Sequence, residues 1–418
     1  MRHLSRRRFL QSTAGSLVVL HAGCSAPSRE PDRGLDTQPG WSTFRGDRYN
    51  TGYGENGTDV SEDPAVKWTF KAGDDFWGSP IVAGGRVYAG NGDSSLYAVD
   101  AETGDLEWKF RAGHRIEGTP AYADGVVYVG SYDRHVYALD AATGERQWEL
   151  EMDGLIRSSP KVVDGDVYVG VGCHRLACKW YGDDVSQNGW MYTLDADTGD
   201  VNWQFETGTE VVSTPAVGDE TIYVGCSDSN LYALDRSTGR ERWHYEATDL
   251  IWSSPTLAFG TVYFCDWDSK VYAVDAASGE EAWTYNSFGS YISGSTAIDE
   301  EAVYFGHTPA NAPPDPTRRN AEVFALDRET GEEQWAYLTD ALEIGSSPAI
   351  TDDMLYIGSH SQVDEGGTGI YALTKDGEHR WFFEVKERGV GTSPALLDGV
   401  LYFGAADDNL YALEPAGS

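Results

Sequence analysis

Tryptophan recurs at positions 68, 108, 148, 203, 243, 283, 335 and 381, most often 40 residues apart. A second series is Tyr97, Tyr137, Tyr192, Tyr232, Tyr272, Phe324, Tyr371 and Tyr411, set in Leu-Tyr-Ala-Leu-Asp-like segments. A third is Pro80, Pro120, Pro160, Pro215, Pro255, Pro348 and Pro394, each preceded by Ser or Thr. Its missing member falls at Ser295, twelve residues after Trp283. Three independent markers therefore each count eight. Length alone allows two or three ordinary domains in 418 residues. The period replaces them with one repeat array.

One unit reads as four short strands. In the second unit these are 119–123, 126–130, 135–140 and 146–150. Asp124-Gly125 makes the first turn, and Ala141-Ala142-Thr143-Gly144 is a hairpin loop whose Gly supplies positive φ. Four antiparallel strands in about 40 residues make a propeller blade. The predicted fold is all-β: an eight-bladed β-propeller with four antiparallel strands per blade. Trp68 precedes the first Pro, and Leu410-Tyr411-Ala412-Leu413 has no Trp after it. The segment 66–70 thus supplies the fourth strand of the last blade, which removes the open edge.

The segment Ala98-x-Asp100-x-x-Thr103-Gly104-x-x-x-Trp108 recurs from Ala138, Ala233, Ala273 and Ala325. Thr193 to Trp203 keeps all but the Ala. Ala372 to Trp381 is one residue short, with Thr374 for Asp. This pattern resembles the pyrroloquinoline-quinone (PQQ) propeller repeat, whose Trp docks onto the adjacent blade. The resemblance covers roughly 66–413, and Trp41-Ser42-Thr43-Phe44-Arg45-Gly46-Asp47 looks like the lead-in segment of such proteins. It gives Trp68, Trp108, Trp148, Trp203, Trp243, Trp283, Trp335 and Trp381 a structural role. A docked Trp buries about 150–250 Å², worth at most ~4–6 kcal/mol at about 25 cal/mol/Å².

Ser5-Arg6-Arg7-Arg8-Phe9-Leu10 resembles a twin-arginine export signal. The apolar stretch after it, from Ala14 to Ala22, is too short to span a bilayer. Ala22-Gly23-Cys24 looks like a lipobox, in which Cys24 takes the lipid and becomes the first residue. His21 stands where that motif has an aliphatic residue, and plain signal cleavage is the alternative. The expected organisation is a signal peptide at 1–23, a tether and lead-in segment at 24–62, and the propeller at 63–414. Export places the chain on the outer face of the cytoplasmic membrane, held only through its lipid. Asn56-Gly57-Thr58 is a lone glycosylation sequon, or simply a turn.

With 31 Lys+Arg against 67 Asp+Glu the net charge is −36. Loss of Arg2, Arg6, Arg7 and Arg8 with the signal takes it to −40. Such a surface excludes nucleic acid and anionic lipid as partners. Lysine is scarce beside arginine, which resembles the proteins of halophilic archaea, where molar salt screens self-repulsion. An ordinary acidic secreted protein is the alternative.

The first strand of each blade lines the axis. Four residues before Pro lie Phe76, Ile116, Ile156, Val211, Ile251, Tyr291, Ile344 and Val390, which suit packing between blades. The next residues are Trp77, Glu117, Arg157, Val212, Trp252, Ile292, Gly345 and Gly391, of varied chemistry. Trp77, Glu117, Arg157 and Trp252 are the candidate binding residues of the channel mouth: two aromatic faces, an acid and an Arg. Alternatively, Glu117 and Arg157 form a structural pair and the Trps only pack. Long loops at 171–189, 307–320 and 359–369 lie on the same face, as a partner surface or as tolerated insertions. Asp93, Asp133, Asp228, Asp268 and Asp407 in the equivalent short turns are explained by capping rather than calcium. Cys173 and Cys178 flank His174 and read as a local disulfide. A zinc site would need further ligands, and His307 and His360 lie in other loops. Cys226 and Cys265 read as buried small residues.

Three functions fit this reading. The first is a non-catalytic, exported scaffold similar to BamB-like lipoproteins. It implies unidentified protein partners at the membrane or cell surface, no cofactor and a monomer. The second is a PQQ- and calcium-dependent alcohol or sugar dehydrogenase. Many such enzymes carry adjacent cysteines, and this chain has none. No catalytic residue and no metal ligand is assigned. The third is a propeller that binds a small molecule or glycan at its mouth.

Overall fold

The computed structural model describes residues 40–54, 59–60, 62–173, 188–289, 291–309, 320–361 and 367–417. The signal peptide, Cys24, the tether up to residue 39, the sequon, Cys178 and the interiors of the three long loops lie outside the described residues. The described residues hold strands and no helix. Eight antiparallel sheets follow one another along the chain. In blade two the order is Ala121–Ala123, Val126–Gly130, His135–Asp140 and Arg146–Glu151, each paired to the next. Pro64–Lys71 completes blade eight beside Asn409–Pro415, with Trp68 opposite Ala412. The ring is thereby closed by its own first long strand.

Burial follows position in the blade. The middle strands are covered on both faces by neighbouring blades, so Val87–Ala89 and Leu96–Val99 are buried without alternation. The outermost strand alternates instead: in Leu106–Arg111 only Trp108 is fully buried. Asp124 and Gly125 take φ of 50° and 82°, the paired left-handed residues of a type I′ hairpin. Asp164-Gly165 and Asp398-Gly399 repeat them. At the other hairpin Asp140 Oδ1 accepts the N–H groups of Ala142 and Thr143 and the Thr143 hydroxyl, at 3.0, 2.9 and 2.9 Å.

Every marker Trp reaches the next blade. Trp108 Nε1 donates to the Ala141 carbonyl at 3.0 Å, and Trp148 Nε1 to Ala196 at 2.9 Å. Trp68, Trp203, Trp243, Trp283 and Trp335 bond the equivalent carbonyls of Ala101, Arg236, Ala276, Arg328 and Lys375. Trp381 meets the carbonyl of Val60, just before the closing strand. The glycine of the hairpin loop lies under the ring: a Cβ on Gly144 would sit 2.6 Å from Trp108 Cε3.

The Ser or Thr before each Pro forms a second girdle around the axis. Ser79 N–H donates to Thr119 Oγ1 at 3.0 Å, and Thr119 N–H to Ser159 Oγ at 2.9 Å. Thr214, Ser254, Ser295, Ser347 and Ser393 continue it, and Ser393 N–H returns to Ser79 Oγ at 2.8 Å. This corrects the alignment of blade six. Ser295 occupies the girdle position, so Thr296, not Ser295, stands where the other blades have Pro. One extra residue between Ser287 and Tyr291 causes the shift. The Thr308 N–H to Tyr291 carbonyl bond matches Trp267 N–H to Leu250, so Tyr291 corresponds to Leu250 and Ile292 to Ile251. Ile292 is accordingly buried between blades. Ser293 takes the mouth position.

The lead-in segment lies across the opposite end of the axis. Gly40–Trp41 pairs with Ile81–Ala83 of blade one. Carbonyls of Ser42, Arg48, Tyr49, Thr51 and Gly52 then accept the N–H groups of Tyr122, Val217, Leu257, Ile298 and Ile350, at 2.8 to 3.0 Å. These are equivalent residues of five inner strands, whose donors would otherwise face the channel unpaired. Arg45 is buried and donates to the carbonyls of Pro348 and Thr296. Asn50 bonds those of Thr214 and Pro255, and Lys161 Nζ those of Phe44 and Asp47. Burial pulls the Arg45 guanidinium down to about 9.

Candidate functional site at the open mouth

With one end of the axis covered, the chemistry gathers at the other. Glu117, Arg157 and Trp252 come from the loops leading into blades two, three and five, and they meet. Glu117 Oε2 accepts the Tyr132 hydroxyl at 2.5 Å and lies 3.8 Å from Arg157 Nε. Its other oxygen is 3.0 Å from Arg115 Nε. Arg157 Nη1 is 3.6 Å from Oε1 of buried Glu210, and its guanidinium lies 5.1 Å from the Trp252 ring centroid. Burial lowers the Arg157 pKa, but Tyr132, Glu210 and Glu117 more than reverse this, and it ends above the usual arginine value. Glu210 was not among the sequence candidates. It precedes Val211 on the blade-four loop, where neighbouring residues are Arg115 and Leu155, so no periodic signal marks it.

Trp252 also starts an aromatic shelf. Its indole N–H donates to Ser227 Oγ at 3.0 Å. Its ring meets Trp267 edge-on at 4.3 Å, and Trp267 stacks on Tyr291 at 5.5 Å. The indole nitrogen of Trp267 is buried and has no acceptor among the described residues. Beyond Tyr291, Glu343 Oε2 lies 3.0 Å from His360 Nε2. Burial raises the Tyr291 hydroxyl, and the Glu343 charge adds to it. Burial also lowers the His360 pKa against the pull of Glu343.

Trp77 is not part of this wall. It is 51% exposed and has the Arg388 guanidinium 6.0 Å from its ring, with Arg388 paired to Asp75. Asp74, Asp75 and Asp408 come close there, but Arg388 engages Asp75 and Lys71 lies 3.4 Å from Asp408. The turn aspartates bond protein groups. Oδ2 of Asp133, Asp228 and Asp407 accepts the hydroxyl of Tyr137, Tyr232 and Tyr411, at 2.7, 2.8 and 2.6 Å. In blade five Asp266, rather than Asp268, takes Tyr272, while Asp268 pairs with Lys270. Cys173 is disulfide-bonded, to a residue outside the described set. Cys226 and Cys265 are buried free thiols, and burial pushes Cys226 up to about 12.

Solved structures share this architecture at low identity. BamB from Moraxella catarrhalis is 18% identical, with a TM-score of 0.66 over 84% of this chain and 100% of that one. Quinohemoprotein alcohol dehydrogenase from Comamonas testosteroni is 16% identical, with a TM-score of 0.73 over 90% of this chain and 80% of that one. A europium-containing methanol dehydrogenase is 14% identical, with a TM-score of 0.71 over 90% and 98%. These likenesses speak to the fold alone. No curated protein matches the sequence. The family described as outer membrane protein assembly factor BamB matches residues 56–178, 187–337 and 319–417, and the chain belongs to that PQQ-repeat family.

Proposed function

We propose that this chain is an exported, lipid-anchored, non-catalytic propeller that serves as a protein-interaction or assembly scaffold at the cell surface. The observation that carries the reading is that the mouth cations stand against the protein's own carboxylates. A quinone with three carboxylates needs cationic donors to spare. Arg157, the part-buried cation beside Trp252, already faces Glu117 and Glu210. Arg388 is likewise engaged by Asp75. The mouth residues therefore do not fit PQQ, and no step is derived through it. The acidic trio near Trp77 is held by Arg388 and Lys71, so calcium has no prepared site there. An acidic, closed ring suits a partner surface, as do the long connections expected between second and third strands in blades three, six and seven.

In molar salt with added PQQ and calcium, the mature chain is expected to show no dye-linked oxidation of alcohols or sugars. Saturable turnover would overturn the scaffold reading. The anchor is tested separately: Cys24→Ala is expected to move the protein from the membrane fraction to the soluble one without changing its circular dichroism. Retention on membranes would rule out lipid anchoring.

A further inference from the structure

We propose that Trp77, with the Arg388–Asp75 pair beside it, forms a binding subsite for one neutral pyranose unit, on the rim of the mouth where blade eight meets blade one. The proposal goes beyond the scaffold reading and does not depend on it. It starts from an asymmetry of the mouth. Blades one to five place Trp77, Glu117, Arg157, Val212 and Trp252 at the mouth position, whereas blades six to eight place only Ser293, Gly345 and Gly391. The His360 ring fills the space over Gly345, where a Cβ would lie 2.4 Å from its Cε1. Gly391 stays open: no heavy atom of the described residues lies within 4 Å of where its Cβ would stand. Trp77 is its neighbour around the ring, because each stands two residues before one member of the Ser393–Ser79 bond that joins blade eight to blade one. The Trp77 indole is half exposed beside that gap.

The chemistry around the indole selects the ligand. The C–H groups on the apolar side of a pyranose carry partial positive charge, and they stack on the negative face of an aromatic ring. Its hydroxyls both donate and accept, so they need both kinds of partner beside that face. The Arg388 guanidinium lies 6.0 Å from the Trp77 ring centroid and its side chain is 47% exposed, so Asp75 occupies only part of its donor fork. The carboxylates of Asp74 and Asp408 stand within 4.8 Å of that of Asp75 and offer acceptors. Lys71, 3.4 Å from Asp408, offers a further exposed donor. These charges balance one another, which suits a ligand that carries none. An apolar segment would bury Arg388 and Lys71 at a cost it does not repay. A cation meets Arg388 and Lys71, and an anion meets the three carboxylates.

The test is a calorimetric titration of the full mature chain with maltotetraose, cellotetraose and mannotetraose, at physiological and at molar salt. At least one of them is expected to bind saturably, with the same affinity at both salts because a neutral ligand is not screened. Trp77→Ala should weaken that binding by about tenfold or more. Trp77→Tyr keeps an aromatic face, should weaken it less, and stands in if the Ala variant fails to fold. Arg388→Ala should cost about three- to tenfold, the worth of one or two hydrogen bonds. Phe288→Ala removes an exposed ring from the blade-six loop and should leave binding unchanged. The sugar that binds is then coupled to serum albumin. Tighter binding of the conjugate than of the free sugar assigns the unit to a glycan carried by a partner protein, and equal affinity assigns it to free saccharide; either supports the subsite. No saturable binding of any of the three sugars, equal affinity in Trp77→Ala, or bare albumin binding as tightly as the conjugate would overturn it. The scaffold reading survives that failure and falls only with quinone turnover.

Discussion

A tryptophan and a glycine, one from each of two blades, make the repeating joint of this molecule. The Trp108 indole bonds the Ala141 carbonyl, which also accepts the Tyr88 hydroxyl at 3.2 Å. That carbonyl stays satisfied if the indole N–H is lost, so Trp108→Phe is expected to cost only about 1 kcal/mol. Trp108→Ala removes the packed ring and should cost about 3–5 kcal/mol. Gly144 has φ of 72° with the ring above it, so Gly144→Ala adds strain to a clash and should cost more than about 1 kcal/mol. Scanning calorimetry of the three variants gives the order. A Gly144→Ala protein as stable as the wild type would refute the joint. The pattern was legible here because motif, spacing and contact coincide. The Ser/Thr girdle was legible only as Ser/Thr-Pro pairs, since its bonds join residues 40 or more positions apart.

At the level of elements, strands and their order followed from the markers, and so did the closing strand. Local turn chemistry and burial fix both. The lead-in segment was recognised as a segment, but not as a cover for the channel. Its bonds reach from Ser42 to Tyr122 and from Gly52 to Ile350, and nothing local encodes such distances. Blade six misled the alignment because a loop can take one residue without changing the strands on either side. Three of the four mouth candidates converge because they share a register position on neighbouring or next-neighbouring blades. Trp77 shares the position but finds its partner in Arg388. Trp267 belongs to another register, and Tyr291 stood in the column of packing residues only because blade six was aligned one residue out.

For the whole ring, the balance of titrating groups sets a stability window. Burial holds the hydroxyls of Tyr88, Tyr128, Tyr168 and Tyr371 up to about 12, against an ordinary 10.0. A raised tyrosine contributes stability that is complete below about pH 10 and is lost as pH climbs toward the folded value. Arg45, lowered to about 9, acts in the opposite sense above that pH, but it is one group against several. On the acid side, hydrogen bonds from Thr143 hold Asp140 below the usual carboxylate range, and those from Ser278 hold Asp275 there. Their contribution is present above that range and lost as pH falls through the depressed values. Melting temperature against pH should therefore fall at both ends, with alkaline loss beginning near pH 10. A flat alkaline limb would contradict the buried tyrosines.

The central claim is that a propeller of this family keeps a mouth built for a protein rather than for a quinone. Equilibrium titration of the mature chain with PQQ and calcium, followed by quenching of its tryptophans, tests that claim most directly. The account predicts no saturable quenching, in the wild type or in Arg157→Ala. Stoichiometric PQQ binding abolished by Arg157→Ala would contradict it, because the guanidinium assigned here to Glu117 and Glu210 would then be holding the cofactor.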